Sequence, residues 1–468
     1  MNLALWVERN GLRLPDQPAI ARGEAVHASW ATFASRVAGV AGGLGIEFSA
    51  AAGDRIAILM NNCPEYIEAL FAIWHAGLVA VPINARLHRD EIAYILEASA
   101  AAVVVTDGEH ASDAADLVDT VGTLQAVVVA PGPDWDRLVS SQPTSMRARR
   151  PDDEAWLFFT SGTTGRPKGA TLTHRNLLAM SLGYFADIGF VSPTDSVLHA
   201  APISHGSGMY GLPHIARGAV SVIPESGGVD GDELVSLLSR WSGLSFFAAP
   251  TMVKRLTADP ATATADLSGL STIIYGGAPM YMTDLEDALD VFGPRLAQIY
   301  GQGESPMTIT TLSKADHADR SHERWSERMK SVGTTFTGVE VRVVADDGQI
   351  LPPGEPGEVV VRGDVVMYGY WRQPDATAES IRDGWLHTGD IGSFDDDGYL
   401  TLHDRSKDLI ISGGMNIYPR EVEEALLRHR GVSAVSVVGR PDPEWGESVV
   451  AFVVTADDVA QPTEDDLD

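Results

Sequence analysis

The residues best suited to chemistry form one run, Thr160-Ser161-Gly162-Thr163-Thr164-Gly165-Arg166-Pro167-Lys168-Gly169, directly after the apolar stretch Trp156–Phe159. Its glycines free the backbone to curl, its Ser and Thr hydroxyls add donors, and Lys168 adds a positive charge. A strand ending in such a loop is suited to cradling a polyphosphate. It is not a Walker A loop, because Pro167 stands where that pattern requires glycine. The plainer reading is a solvent-exposed Ser/Thr/Gly turn.

Weaker signals lie further along. Tyr300-Gly301-Gln302-Gly303-Glu304 follows an apolar stretch ending at Ile299. Ligands in open α/β sheets collect at the carboxyl ends of strands, where Glu304 could hold a nucleotide-bound Mg2+ and Tyr300 could stack on a base. Alone, the segment reads better as a Tyr-Gly turn with a surface glutamate. Tyr275-Gly276-Gly277-Ala278-Pro279 is a second glycine turn of the same type. Asp390, in Thr388-Gly389-Asp390, could accept hydrogen bonds from ribose hydroxyls or simply shape a turn. Asp404-Arg405-Ser406-Lys407-Asp408 is a charged joint, and His205 is a base or a pocket wall, the wall being the commoner role for a lone histidine.

The elements that position these residues alternate. Asp54–Met60, Leu78–Ile83 and Ala102–Thr106 read as buried strands, separated by helical patterns at Pro64–Ala76 and Arg89–Ala98. A second series has strands near Trp156–Phe159, Ser196–Ala200, Leu244–Ala248 and Ser271–Tyr275, with helices near Asp232–Trp241, Thr251–Thr257 and Asp284–Val291. Strands alternating with helices imply parallel βαβ units. After Ser331, Val339–Val344 and Glu358–Val361 flank a Gly- and Pro-rich turn and read as a small antiparallel β unit. A third unit begins near Asp404, with a helix at Pro419–Arg428 and strands at Ala434–Val438 and Val449–Val454. With little after Val454 to pack against, the sequence is expected to continue past Asp468.

Composition narrows the function. The 468 residues include 34 basic and 64 acidic ones, a formal charge of −30, which disfavours nucleic acid and anionic membrane surfaces as partners. No run approaches the ~18 uninterrupted apolar residues of a membrane span. Cys63 is the sole cysteine, so an intramolecular disulfide is impossible and a cytoplasmic location is expected. His317 and His322 fall in a highly charged segment that reads as exposed, without zinc-ligand spacing.

Together and in this order, the motifs resemble the adenylate-forming acyl-CoA synthetase superfamily, the AMP-binding enzymes, from about Ala51 to Val454. The resemblance implies an α/β fold: a large N-terminal domain (1–403) of two βα-layered subdomains plus a small β-barrel-like subdomain, then the start of a small mobile α+β C-terminal domain (404–468). It implies an ATP-dependent carboxylic acid–CoA ligase. Carboxylate and Mg-ATP give acyl-AMP and pyrophosphate, and the acyl group then passes to coenzyme A. Thr160, Ser161, Gly162, Thr163, Thr164, Gly165 and Lys168 would grip the phosphates. Gly277, Ala278 and Pro279 would line the adenine slot, with Tyr300 stacking on the ring, and Gly301, Gln302 and Gly303 would also belong to the nucleotide site. Glu304 and Thr164 would hold Mg2+, Asp390 and Arg405 the ribose, and Gly414 would approach the pantetheine arm. Lys407 falls at the interdomain hinge, and His205 borders the acyl pocket. Lys168, Thr164, Glu304 and His205 would be the catalytic group.

Two departures bear on this. Gly303 replaces the threonine of the family's usual Tyr-Gly-x-Thr-Glu. The late lysine that reaches the α-phosphate has no counterpart before Asp468, so slow adenylation is expected of this chain. Residues Ser196 to Gly208 contain no acidic side chain, which disfavours amino-acid substrates. Phe246, Phe247, Tyr275, Met307 and His205 suit an aromatic, alicyclic or medium-chain acid, although core packing would explain them as well. The competing readings are transfer to a carrier protein or amine, and a non-catalytic nucleotide-binding protein. A homodimer is compatible with the sequence.

Overall fold

The computed structural model describes residues 1–160, 166–278, 280–405, 410–412, 415–427, 429, 431–442 and 445–455. Two large sheets carry the site. The seven-stranded one runs Gly369–Tyr370, Lys168–Thr173, Glu154–Thr160, Val79–Ile83, Arg55–Leu59, Val103–Thr106 and Ala126–Val129 from edge to edge. The nine-stranded one places Leu296–Tyr300, Leu270–Gly276, Leu244–Ala248, Ser196–Leu198, Val220–Ile223 and Pro18–Arg22 side by side and parallel. Its strands are short and buried on both faces, as parallel sheets covered by helices must be. The expected parallel series are present in both sheets, with one correction: Trp156–Phe159, expected in the second series, pairs with the strands of the first.

The sheets are not purely parallel. Glu154–Thr160 and Lys168–Thr173 pair antiparallel, with Thr160 opposite Lys168. The candidate phosphate loop is thus the tip of a hairpin, and Lys168 opens a strand. Thr310–Leu312 and Thr334–Thr335 extend the other sheet antiparallel. At its far edge, Ala25–Ser29 folds back on Pro18–Arg22, an N-terminal hairpin docked beside strands made some 200 residues later.

A third, five-stranded antiparallel sheet contains Val339–Val344, Gly357–Gly363, Ile381–Arg382, Trp385–Phe394 and Leu400–Arg405. A separate four-stranded sheet follows, with the helix Pro419–Leu426 beside it.

The largest core cluster is anchored by aromatic rings. Trp30, Phe33, Phe71, Trp74 and Trp156 touch in succession, their centroids 5.1 to 6.3 Å apart. Trp74 Nε1 donates to the Ala155 carbonyl at 2.7 Å, so the helix Pro64–His75 is tied to the strand that leads into the phosphate loop. Among the described residues, no helix is long and apolar enough to cross a membrane. His317 corrects an expectation. It is fully buried, its Nε2 is 2.9 Å from the Tyr275 hydroxyl, and its Nδ1 is 2.7 Å from the Ser313 carbonyl. The charged residues around it mark the outer face of a helix whose inner face it occupies.

Candidate active site

The site is organised by the segment Tyr300–Glu304, which leaves the carboxyl end of the strand Leu296–Tyr300. Glu304 faces the end of the strand Glu154–Thr160. Thr160 Oγ1 donates to Glu304 Oε1 at 3.0 Å, and the Tyr370 hydroxyl donates to the same oxygen at 2.8 Å. Lys168 Nζ lies 5.1 Å from the centre of the Tyr370 ring. Burial, with Glu304 beside it, pushes the Tyr370 phenol above its usual range, so its hydroxyl remains a donor. Glu304, from the loop after one sheet's strand, and Lys168, from a strand of the other sheet, thus meet around one aromatic ring.

Gly301 and Gly303 are required here by close approach. A Cβ on Gly301 would lie 2.8 Å from the Met307 backbone. On Gly303 it would overlap the Thr160 methyl and fall 2.6 Å from the Phe158 ring. The family threonine therefore has no room in this chain, and Thr160 occupies its volume.

Tyr300 and Gln302 turn toward the third sheet. The Tyr300 hydroxyl donates to Asp390 Oδ2 at 2.5 Å, and Gln302 Nε2 donates to the same oxygen at 2.7 Å and to the Thr388 carbonyl at 3.0 Å. Asp390 is buried, and its register partner is Arg405. The bend before it is set by Glu358, whose Oε1 accepts from the Gly389 amide at 3.2 Å. Gly277 and Ala278 are exposed beyond the strand Leu270–Gly276.

His205 precedes the helix Gly206–Arg217, with its Nδ1 2.8 Å from Ser204 Oγ and its ring edge-on to Phe158 at 5.2 Å. Burial lowers its pKa below the ordinary value, so the imidazole is neutral near pH 7. Phe247 and Met307 crowd the α-face of Gly206, where a Cβ would come within 2.8 Å of the Phe247 ring and 3.1 Å of the Met307 methyl. Tyr210 continues this wall, 6.0 Å from Phe247 between centroids, and donates to the Met307 carbonyl at 3.3 Å. Phe246 and Tyr275 stand apart from it. Both are fully buried core residues, which decides for packing at these two positions.

Residues 7–371 match the AMP-binding enzyme family, and residues 421–468 match the AMP-binding enzyme C-terminal domain. The chain belongs to the AMP-binding enzyme family. A feruloyl-CoA synthase of Amycolatopsis sp. is 38% identical over 97% of this chain and 89% of its own length. ATP-bound MatB from Rhodopseudomonas palustris superposes with a TM-score of 0.88 at 30% identity, covering 100% of this chain and 91% of that one. Amide bond synthetase McbA from Marinactinospora thermotolerans also gives a TM-score of 0.88, at 31% identity over 99% of this chain and 91% of its own. Among AMP-binding enzymes this one is an acyl-CoA synthetase, a ligase that uses ATP, Mg2+ and coenzyme A.

The donors present suit that chemistry. Among the described residues no group of three or more His, Cys, Asp or Glu side chains converges on a metal position. A single carboxylate, Glu304, with its Oε1 already anchored, is what a nucleotide-borne Mg2+ needs, since that ion takes most of its oxygens from phosphate and water. Ser161, Gly162, Thr163, Thr164, Gly165, Pro279, Lys407, Gly413, Gly414 and the Arg405 side chain lie outside the described residues. Two contributors escaped the sequence reading. Tyr370 sits in a Gly-Tyr-Trp run that carries no motif of its own. Asn62, which carries no motif either, links the loops that follow strands of the two large sheets. Its Nδ2 donates at 2.8 Å to the carbonyls of both His199 and Ala201, and its Oδ1 accepts from the Ile203 amide at 2.9 Å. It thereby fixes the loop that leads to His205.

Proposed function

We propose that this acyl-CoA synthetase activates an aromatic carboxylic acid, with alicyclic and medium-chain acids as the next candidates. The carrying observation is the segment Tyr300–Glu304, which joins an anionic metal position, an Asp390 cluster and an aromatic wall through contacts of its own residues. In the first step a carboxylate oxygen attacks the α-phosphorus of ATP and pyrophosphate leaves. In the second the coenzyme A thiolate attacks the acyl carbon and AMP leaves.

Lys168 and the hydroxyls of Thr160–Thr164 would receive the phosphates, and Glu304, assisted by Thr164, would hold Mg2+, which would supply positive charge against the pyrophosphate oxygens. Asp390 and Arg405 take the ribose. Gly277, Ala278 and Pro279 flank the adenine together with Tyr300, and Gly414 lies on the pantetheine path. His205, Phe158, Phe247, Met307 and Tyr210 form the acyl wall. A neutral imidazole against aromatic rings suits a flat apolar acid better than one with a second charge. The feruloyl-CoA synthase relative supports the same preference.

The amide bond synthetase likeness favours a second reading, in which an amine accepts the acyl group. Mass spectrometry after incubation with Mg-ATP and a panel of aryl, alicyclic and straight-chain acids, with coenzyme A or amines added, separates them. Acyl-CoA from aryl acids is the expected product. An amide as the sole product, or an adenylate from straight-chain acids alone, would overturn the respective part.

The domain boundary near residue 404 belongs to the same reading, supported by the end of the third sheet at Arg405 and the separate sheet after it. A cytoplasmic location accords with the single free thiol of Cys63. Light scattering tests the homodimer.

A further inference from the structure

Lys168 opens a strand of one sheet and Glu304 lies in the loop that leaves a strand of the other, so something must set their separation. A strap does so. The segment Met367–Trp371 is bonded on one side to the strand that begins at Lys168, by Tyr368 N to the Thr171 carbonyl at 2.9 Å and Trp371 N to the Gly169 carbonyl at 2.8 Å. On the other side Met367 N donates to the Glu304 carbonyl at 2.8 Å. The strap is itself pinned. Asn176 Nδ2 donates to the carbonyls of Asp364 at 2.7 Å and Val366 at 2.8 Å, and Thr377 Oγ1 accepts from the Tyr370 amide at 2.9 Å.

Tyr370 is the side chain that uses this frame. Its ring lies under Lys168 Nζ, and its hydroxyl joins Thr160 on Glu304 Oε1. Among the described residues both of these hydrogen bonds fall on Oε1 and none on Oε2, which leaves Oε2 as the oxygen for a cation. The geometry points to Tyr370 as a positioning residue that holds the Glu304 carboxylate in its metal-binding rotamer and keeps Lys168 beside it. This deepens the reading above and rests on Glu304 as the Mg2+ carboxylate and Lys168 as a phosphate contact.

Y370F keeps the ring and removes only the hydroxyl. Calorimetric affinities for ATP with excess Mg2+ and for ATP with EDTA are the readout, independent of turnover. Y370F is expected to weaken Mg-ATP about tenfold, the usual scale for a hydrogen bond to a charged group, and metal-free ATP less than about twofold. Y370L also removes the ring and is expected to weaken both, because Lys168 loses its support. T377V, which loosens the strap without touching the ring, gives a smaller loss of the same metal-selective sign. In an E304Q background Y370F has no further effect.

Equal weakening of both nucleotide forms by Y370F, or additivity with E304Q, would overturn the inference. If E304Q leaves the metal preference intact, the Glu304 assignment fails and the Tyr370 role with it. If E304Q abolishes that preference while Y370F and T377V preserve it, the Tyr370 role alone is overturned.

Discussion

Gly303 shows how one residue can be dictated by its neighbours. A threonine there would add a hydroxyl near the phosphates, yet the space is filled by the Thr160 methyl and the Phe158 ring. G303A is therefore expected to push Thr160 away from Glu304 and to cost about 1–3 kcal/mol in stability, as overpacking usually does. Pyrophosphate release should fall at least about tenfold, since the displaced hydroxyl is one of the two that orient the carboxylate. The double change G303A with T160S removes the offending methyl and keeps the hydroxyl. Partial recovery of pyrophosphate release is the expected result, and no recovery would show that Phe158 dominates the clash.

Elements transmit such constraints over longer distances. Asn62 begins where the strand Arg55–Leu59 gives way to the helix Pro64–His75, and its amide ties that corner to the loop before His205. N62A is expected to raise KM for the acid about tenfold and to leave KM for ATP within about twofold, because only the acyl wall loses its support. Steady-state kinetics with each substrate varied checks this. The helices Trp30–Phe48 and Pro64–His75 are clamped by Arg36, which donates to both oxygens of Glu68 at 2.6 and 2.8 Å. Burial pushes the Glu68 carboxyl up, and the hydrogen bonds from His27 and Arg36 more than offset it, leaving it below the ordinary glutamate range. R36A leaves the fully buried Glu68 carboxylate with His27 as its remaining side-chain partner among the described residues and should cost about 3 kcal/mol in a denaturant titration. The parallel strands were legible because Val103–Thr106 and Val79–Ile83 are short, apolar and bounded by breakers. Lys168–Thr173 was not, because Lys-Gly-Ala-Thr-Leu-Thr has little apolar content and follows a loop motif that absorbs its first residues. The run Thr160–Gly169 stood out by composition and spacing, whereas Glu304 and Asp390 drew their expected roles only from the family resemblance. Tyr370 and the depth of His317 depend on chain segments that meet only in three dimensions, which no local pattern encodes.

For the molecule as a whole, pH response follows from its buried histidines. Burial holds His174 and His199 down to about 3, and His214 and His317 to about 4, well below the ordinary value of 6.5. In the unfolded chain they protonate near pH 6.5, in the folded protein only near pH 3–4, so the unfolded state binds more protons between. Stability is thus expected to fall as pH drops below 6.5, by up to about 1.4 kcal/mol per unit for each histidine. Glu68 adds to the loss at the acid end, because its depressed pKa removes stability as it protonates. Urea titrations at pH 7.5, 6.5 and 5.5 check the slope, and a midpoint unchanged between 6.5 and 5.5 would contradict it. The hairpin of Pro18–Arg22 and Ala25–Ser29 carries a consequence for biosynthesis. Its parallel partner, Val220–Ile223, leaves the ribosome about 200 residues later, a wait of about 10–40 s at ordinary elongation speeds. During that interval Ile20 and Ala21 lack their parallel partner strand, and the hairpin is expected to be a client for holding chaperones. A mutation there would show first as lost yield in cells, with the catalytic constants of the surviving enzyme unchanged.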